Sequence, residues 1–125
     1  MRLAGAERES ELPQRVRIQR LTDVAGLGEE SEHVDVLLVG AGWRLERIVS
    51  RGQTTPAGQW YDQEEDEWVA VLAGSARLEV VGQVDLELGP GDAVLLPAHR
   101  RHRVSWTDVT QATVWVALFA DSSER

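Results

Sequence analysis

From Val34 to Ala120, short apolar runs follow one another, each cut off by Gly, Pro or a polar cluster. Breaks at a spacing of roughly 8–12 residues leave room for ordinary strands and little for helices. VDVLLVG ends at Gly40 and Gly42. WRLERIVSRG alternates, with Trp43, Leu45, Arg47 and Val49 on one face and Arg44, Glu46, Ile48 and Ser50 on the other. QTTPAG is a break around Pro56 and Gly58, and the acidic stretch from Gln63 to Asp66 reads as a solvated turn. A strand is expected from Glu67 to Ala73, then a hairpin turn at Gly74-Ser75 and a return strand ARLEVV. VDLEL, AVLLP, HRVSW and TVWVALFA continue the series, with a tight turn at GPGD and a loop at PAHRRH. No long segment has a convincing helical period. The pattern predicts an all-β sandwich or barrel over residues 15–120, with a flexible arm over 1–14 and a polar tail over 121–125. RVRIQRLTDV predicts one further strand, running from Val16.

Several strands are apolar on both faces. In WVAVLA, Val69 and Val71 share a face with Glu67, while Trp68, Ala70 and Leu72 take the other; in TVWVALFA, Val114, Val116 and Leu118 oppose Trp115, Ala117 and Phe119. An outer barrel face left to water would be polar, so something covers it. The Val16 strand is expected to cover part of it and a second copy of the chain the rest, which predicts a homodimer.

Composition excludes several chemistries. The chain has no Cys, so thiolate ligands, disulfides and cysteine nucleophiles are out. All 13 basic residues are Arg, which removes Lys-based Schiff-base chemistry. A net charge of −8 argues against nucleic acid as a partner. No apolar run approaches a membrane span, and MRLAGAERESELPQR lacks the apolar middle of a signal peptide, so a cytoplasmic location is expected. There is no Gly-rich phosphate loop and no GXSXG.

Two stretches carry a recognisable pattern. Glu67 is followed by six residues and then Gly74; Gly91 is followed by DAVLL, then Pro97, with His102 five residues further on. These stretches resemble the two motifs of the cupin superfamily, G(X)5HXH(X)3,4E(X)6G and G(X)5PXG(X)2H(X)3N, over about residues 43–120. His99 stands where the second motif has Gly, on a loop surface where a positive φ is expected, and Trp106 replaces its Asn. The resemblance implies a small single-domain cupin-type β-barrel, a jelly roll. In the family, two His and the Glu of the first motif join the His of the second around a divalent metal. That implies Glu67 and His102 as ligands.

Neither His of the HXH pair is present. With four residues before Glu67, the two positions fall on Trp60 and Asp62; with three, they fall on Tyr61 and Gln63. The first register is preferred because Asp62 can ligate and Gln63 is a poor donor, giving Asp62, Glu67 and His102 as a degenerate site for Mn, Fe or Zn. Three other readings stand beside it. Glu67 and His102 can serve as a metal-free acid/base pair, as in an isomerase. The barrel can be a binding module for a sugar or another small molecule, with Trp60, Tyr61 and Trp106 as pocket walls and Trp68 and Trp115 as packing. Or His102 merely caps its loop. Arg47 and Arg77 would bind an anion if they pointed inward, and otherwise lie on a solvated face.

Overall fold

The computed structural model describes residues 15–122, so the arm expected over 1–14 and most of the tail lie outside the described residues. The described elements are all strands: β1 (His33–Gly40), β2 (Trp43–Ser50), β3 (Glu65–Ala73), β4 (Ala76–Val80), β5 (Leu86–Leu88), β6 (Ala93–Leu96), β7 (His102–Thr107) and β8 (Thr113–Asp121). They form a five-stranded sheet in the order β1-β2-β8-β3-β6 and a three-stranded sheet in the order β5-β4-β7. Every pairing is antiparallel. The two inner faces share one core of Val69, Val71, Leu78, Val80, Trp115 and Phe119. This is the all-β barrel expected. No described helix is long and apolar enough to cross a membrane.

The Gly74-Ser75 turn is not a hairpin. β3 already has a neighbour on each edge, β6 and β8, and β4 pairs with β5 and β7 in the other sheet. The turn instead carries the chain from one sheet to the other. Gly74 does this at φ 81, packed so closely on the start of β8 that a Cβ would sit 2.6 Å from the Ala112 carbonyl oxygen. Thr113 Oγ1 then clasps Ser75, accepting its N–H at 3.2 Å and donating to its carbonyl at 3.0 Å.

Two further expectations are corrected. No strand forms at Val16; residues 15–20 have no regular structure, and Val16 and Ile18 are exposed. The chain just beyond them meets the barrel through carbonyls, with Leu21 and Val24 accepting from Arg47 and Arg51. Nor is the acidic stretch a solvated turn throughout. β3 begins at Glu65, whose carboxylate takes two hydrogen bonds from Arg44. Asp66 is buried and accepts the Ala98 N–H at 2.8 Å, which ties the start of β3 to the loop before β7.

The outer face of the larger sheet carries an apolar row. Leu95, Trp68, Leu118, Leu45 and Leu38 stand opposite one another across five strands. Trp68 is 43% exposed, Leu95 53% and Leu38 58%. Trp68 is therefore not a core residue of this chain.

An irregular segment completes the smaller sheet. Thr55 exchanges hydrogen bonds with Val104, and Gln53 accepts from Thr107 Oγ1. Tyr61 and His102 then exchange both backbone bonds, at 2.8 and 3.2 Å. This bridge sets the register of every residue from Trp60 to Gln63.

Candidate functional site: the barrel cavity

The barrel encloses a cavity of about 200 Å³. Its floor and walls are apolar, from Ile48, Val69, Leu78, Leu96, Val104, Trp115 and Phe119, and its polar groups converge from five segments. Glu67 comes from β3, where its partners Leu96 and Phe119 face the same interior. His102 opens β7, and Tyr61 and Gln63 come from the segment before β3. Glu46 comes from β2, and Glu32 stands at the rim with a hydrogen bond from Ser50.

Glu67 and His102 are both buried, with Glu67 Oε1 3.7 Å from His102 Nε2. His102 Nδ1 lies 3.0 Å from the Arg100 carbonyl oxygen, an acceptor only, so Nδ1 carries the proton and donates it there. That leaves Nε2 facing Glu67. Gln63 Nε2 donates to Glu67 Oε1 at 3.0 Å, and the Tyr61 ring stacks on the imidazole with centroids 5.5 Å apart. Burial pushes the Glu67 carboxyl above the ordinary carboxylate range, helped by the charge of Glu46; Gln63, His102 and Arg44 pull the other way.

The expected pair Glu67 and His102 is thus brought together, and Tyr61 does line the cavity. Asp62, Trp60 and Trp106 do not. Side chains alternate along an extended segment, so with Tyr61 bridged to His102 and Gln63 beside it, Trp60 and Asp62 must face outward. Asp62 pairs with His99 at 2.8 Å on the surface, and Trp60 lies under the guanidinium of Arg101. His99 holds φ 63, as expected where the motif has Gly. Trp106 is turned out by a bulge: Leu78 pairs with Val104 but Arg77 pairs with Trp106, so Ser105 is the extra residue. Trp106 stacks with Arg77, itself bonded to Glu87 on that surface, and Arg47 is held by Asp35 and the Leu21 carbonyl.

The motif positions therefore follow the three-residue register, with Tyr61 and Gln63 in the two His places. Counting back in twos from Glu67 reaches both, and that alternation was the signal available in the sequence. Glu32, Glu46 and Phe119 are cavity residues that sequence reasoning passed over, Gln63 is one that it set aside as a poor donor, and Trp115 lines the cavity as well as packing the core. Of the expected metal set Asp62, Glu67 and His102, the cavity brings together Glu67 and His102, while Asp62 is turned away. Gln63 turns an amide N–H, not a lone pair, toward Glu67. Among the described residues no group of three or more His, Cys, Asp or Glu is placed to hold an ion.

The chain matches the family model described as Cupin domain over residues 48–119. Among solved structures, a candidate mannose-6-phosphate isomerase from Ralstonia eutropha JMP134 is 42% identical with a TM-score of 0.81, covering 86% of this chain and 100% of that one. A cupin superfamily protein from Desulfitobacterium hafniense DCB-2 is 18% identical, with a TM-score of 0.69 and coverage of 87% and 94%. KdgF from Halomonas sp. is 21% identical, with a TM-score of 0.63 and coverage of 74% and 82%. The last two share the fold only. No curated protein matches the chain.

Proposed function

Since the chain belongs to the cupin superfamily, we propose that its barrel binds a small molecule and moves a proton on it with Glu67 and His102, without a resident metal. The observation that carries this is a buried carboxyl and a buried imidazole 3.7 Å apart in a cavity with apolar floor and walls. A carboxyl raised by burial holds a proton nearer neutrality and can donate it, while Nε2 of His102 keeps a lone pair that can receive one. One mobile proton between two groups suits isomerisation, in which a proton leaves one atom of the substrate and arrives on another. The isomerase assignment of the Ralstonia eutropha protein, at 42% identity, supports the same reaction class.

The test is solvent-deuterium incorporation, followed by NMR, into a panel of small hydroxy-carbonyl compounds. Glu67→Gln and His102→Gln should each lower the exchange rate by about 10²-fold or more while leaving the fold intact. Protein purified without chelator or affinity tag should carry less than roughly a tenth of an equivalent of transition metal. Exchange that persists in Glu67→Gln, or that appears only on adding Mn, Fe or Zn, would sink the proposal. A second reading, a binding module without catalysis, is favoured by the Gln63 bond that already occupies Glu67. It predicts ligand binding with no exchange in any variant.

The expected homodimer is proposed on the outer apolar row from Leu95 to Leu38. Face-to-face packing of two such sheets would bury Trp68 at the centre of the contact. Sedimentation at micromolar concentration should give twice the chain mass, and Trp68→Glu should return it to the monomer. A monomeric wild type would end this proposal.

A further inference from the structure

We propose that the cavity selects a small organic cation and rejects phosphorylated and other anionic ligands. This rests on the pocket reading above and names its substrate class. The polar lining is one-sided. Glu32 and Glu46 contribute carboxylates, Glu46 shared with Arg44, Glu67 contributes a carboxyl that burial makes harder to ionise, and no Arg lines the cavity among the described residues. His102 is the one lining group that can gain a positive charge. Its side chain is 6% exposed, and its Nε2 aims at Glu67 from 3.7 Å, beyond hydrogen-bond length, so it is open to a ligand.

The guanidinium nearest this lining is already engaged. Arg44 Nη1 meets both Glu65 oxygens, at 2.9 and 2.7 Å, and its Nε meets Glu46 at 3.0 Å. A phosphate entering the cavity would find carboxylates and no free cation, a costly juxtaposition in an apolar surround. The same group shows what the niche accepts. The Arg44 guanidinium lies 4.2 Å from the centroid of Phe119 and is paired with two carboxylates. Phe119 also lines the cavity, together with Trp115 and Tyr61. Aromatic faces beside carboxylates attract a desolvated ammonium, and apolar walls accept its methyl or methylene groups. The cavity thus repeats, for a ligand, the arrangement that its own arginine already uses. Mannose 6-phosphate, named for the Ralstonia eutropha protein, is the wrong charge for it.

The test uses the full-length protein and three probes: choline, the uncharged carbon isostere of choline, and mannose 6-phosphate. Binding is followed by ligand-detected NMR and by the indole signal of Trp115. Choline should bind about tenfold more tightly than its isostere, and mannose 6-phosphate should show no binding over the same range. In Glu46→Gln the ratio of choline to isostere affinity should fall toward one. Equal binding of choline and isostere, or any binding of mannose 6-phosphate in the cavity, overturns the charge assignment and leaves the pocket reading standing. Failure of all three probes to move Trp115 overturns both.

Discussion

Gly74→Ala should lose about 3–4 kcal/mol of stability in urea unfolding, far more than the same change at Gly82. Both residues hold positive φ, 81 and 86, so Ala pays the left-handed penalty of about 1–2 kcal/mol at either site. They differ in their surroundings. A Cβ at Gly82 meets nothing within 4 Å, whereas at Gly74 it meets Thr113 Oγ1 at 2.5 Å and the Ala112 carbonyl oxygen and Thr113 Cα at 2.6 Å. Two of those three are backbone, which cannot swing aside, so overpacking adds a further ~2 kcal/mol. Gly82→Ala should therefore cost only its conformational part. Equal losses in the two variants would mean that the crossing between sheets is loose, and that the position of Gly74 reflects turn conformation alone.

That crossing also marks where local reading stops. The strands from VDVLLVG to TVWVALFA were legible because alternation, Gly and Pro are local signals, and the motif spacing from Glu67 to Gly74 and from Gly91 to His102 located the barrel. Which sheet β4 joins is not local. A Gly-Ser turn serves a hairpin and a sheet crossing equally well, and only the occupied edges of β3 decide between them. The same holds for the site. Glu67 and His102 are readable from the motif positions, but ligand chemistry favours Asp62 over Tyr61 and Gln63. Strand alternation overrides that preference, since a one-residue slip exchanges all inward and outward side chains. Trp106 failed differently: period two from His102 points it inward, and the Ser105 bulge, which nothing in HRVSW announces, reverses it.

The candidate site holds itself together by hydrogen bonding and stacking. Where imidazoles would converge on an ion, Gln63 donates to Glu67, Tyr61 stacks on His102, and the Arg100 carbonyl fixes the His102 tautomer. Each contact orients a group that a metal would otherwise have oriented. The cost is a carboxyl buried in a largely apolar surround.

Glu67→Gln is therefore expected to stabilise the protein at neutral pH, by about 1 kcal/mol or roughly 4 °C in Tm, while abolishing proton exchange. The sign follows from burial. Desolvation raises the Glu67 carboxyl above its usual value of 4.5, with Glu46 adding to the effect and Gln63, His102 and Arg44 opposing it. The folded chain then retains a proton that the unfolded chain releases, so stability falls as pH climbs from about 4.5 through the raised folded value. Below that window both states are protonated and Glu67 contributes nothing to the slope. Gln has the same shape and no charge. Its oxygen can still accept from Gln63, and its amide can face His102 Nε2. Thermal melts across pH should show the variant's advantage growing from acid toward neutrality and the wild-type slope lost. A variant less stable than wild type at every pH would make Glu67 a structural partner of Gln63 and His102. A gain in stability coupled to a loss of exchange would instead identify it as a charge that the fold tolerates for the chemistry it performs.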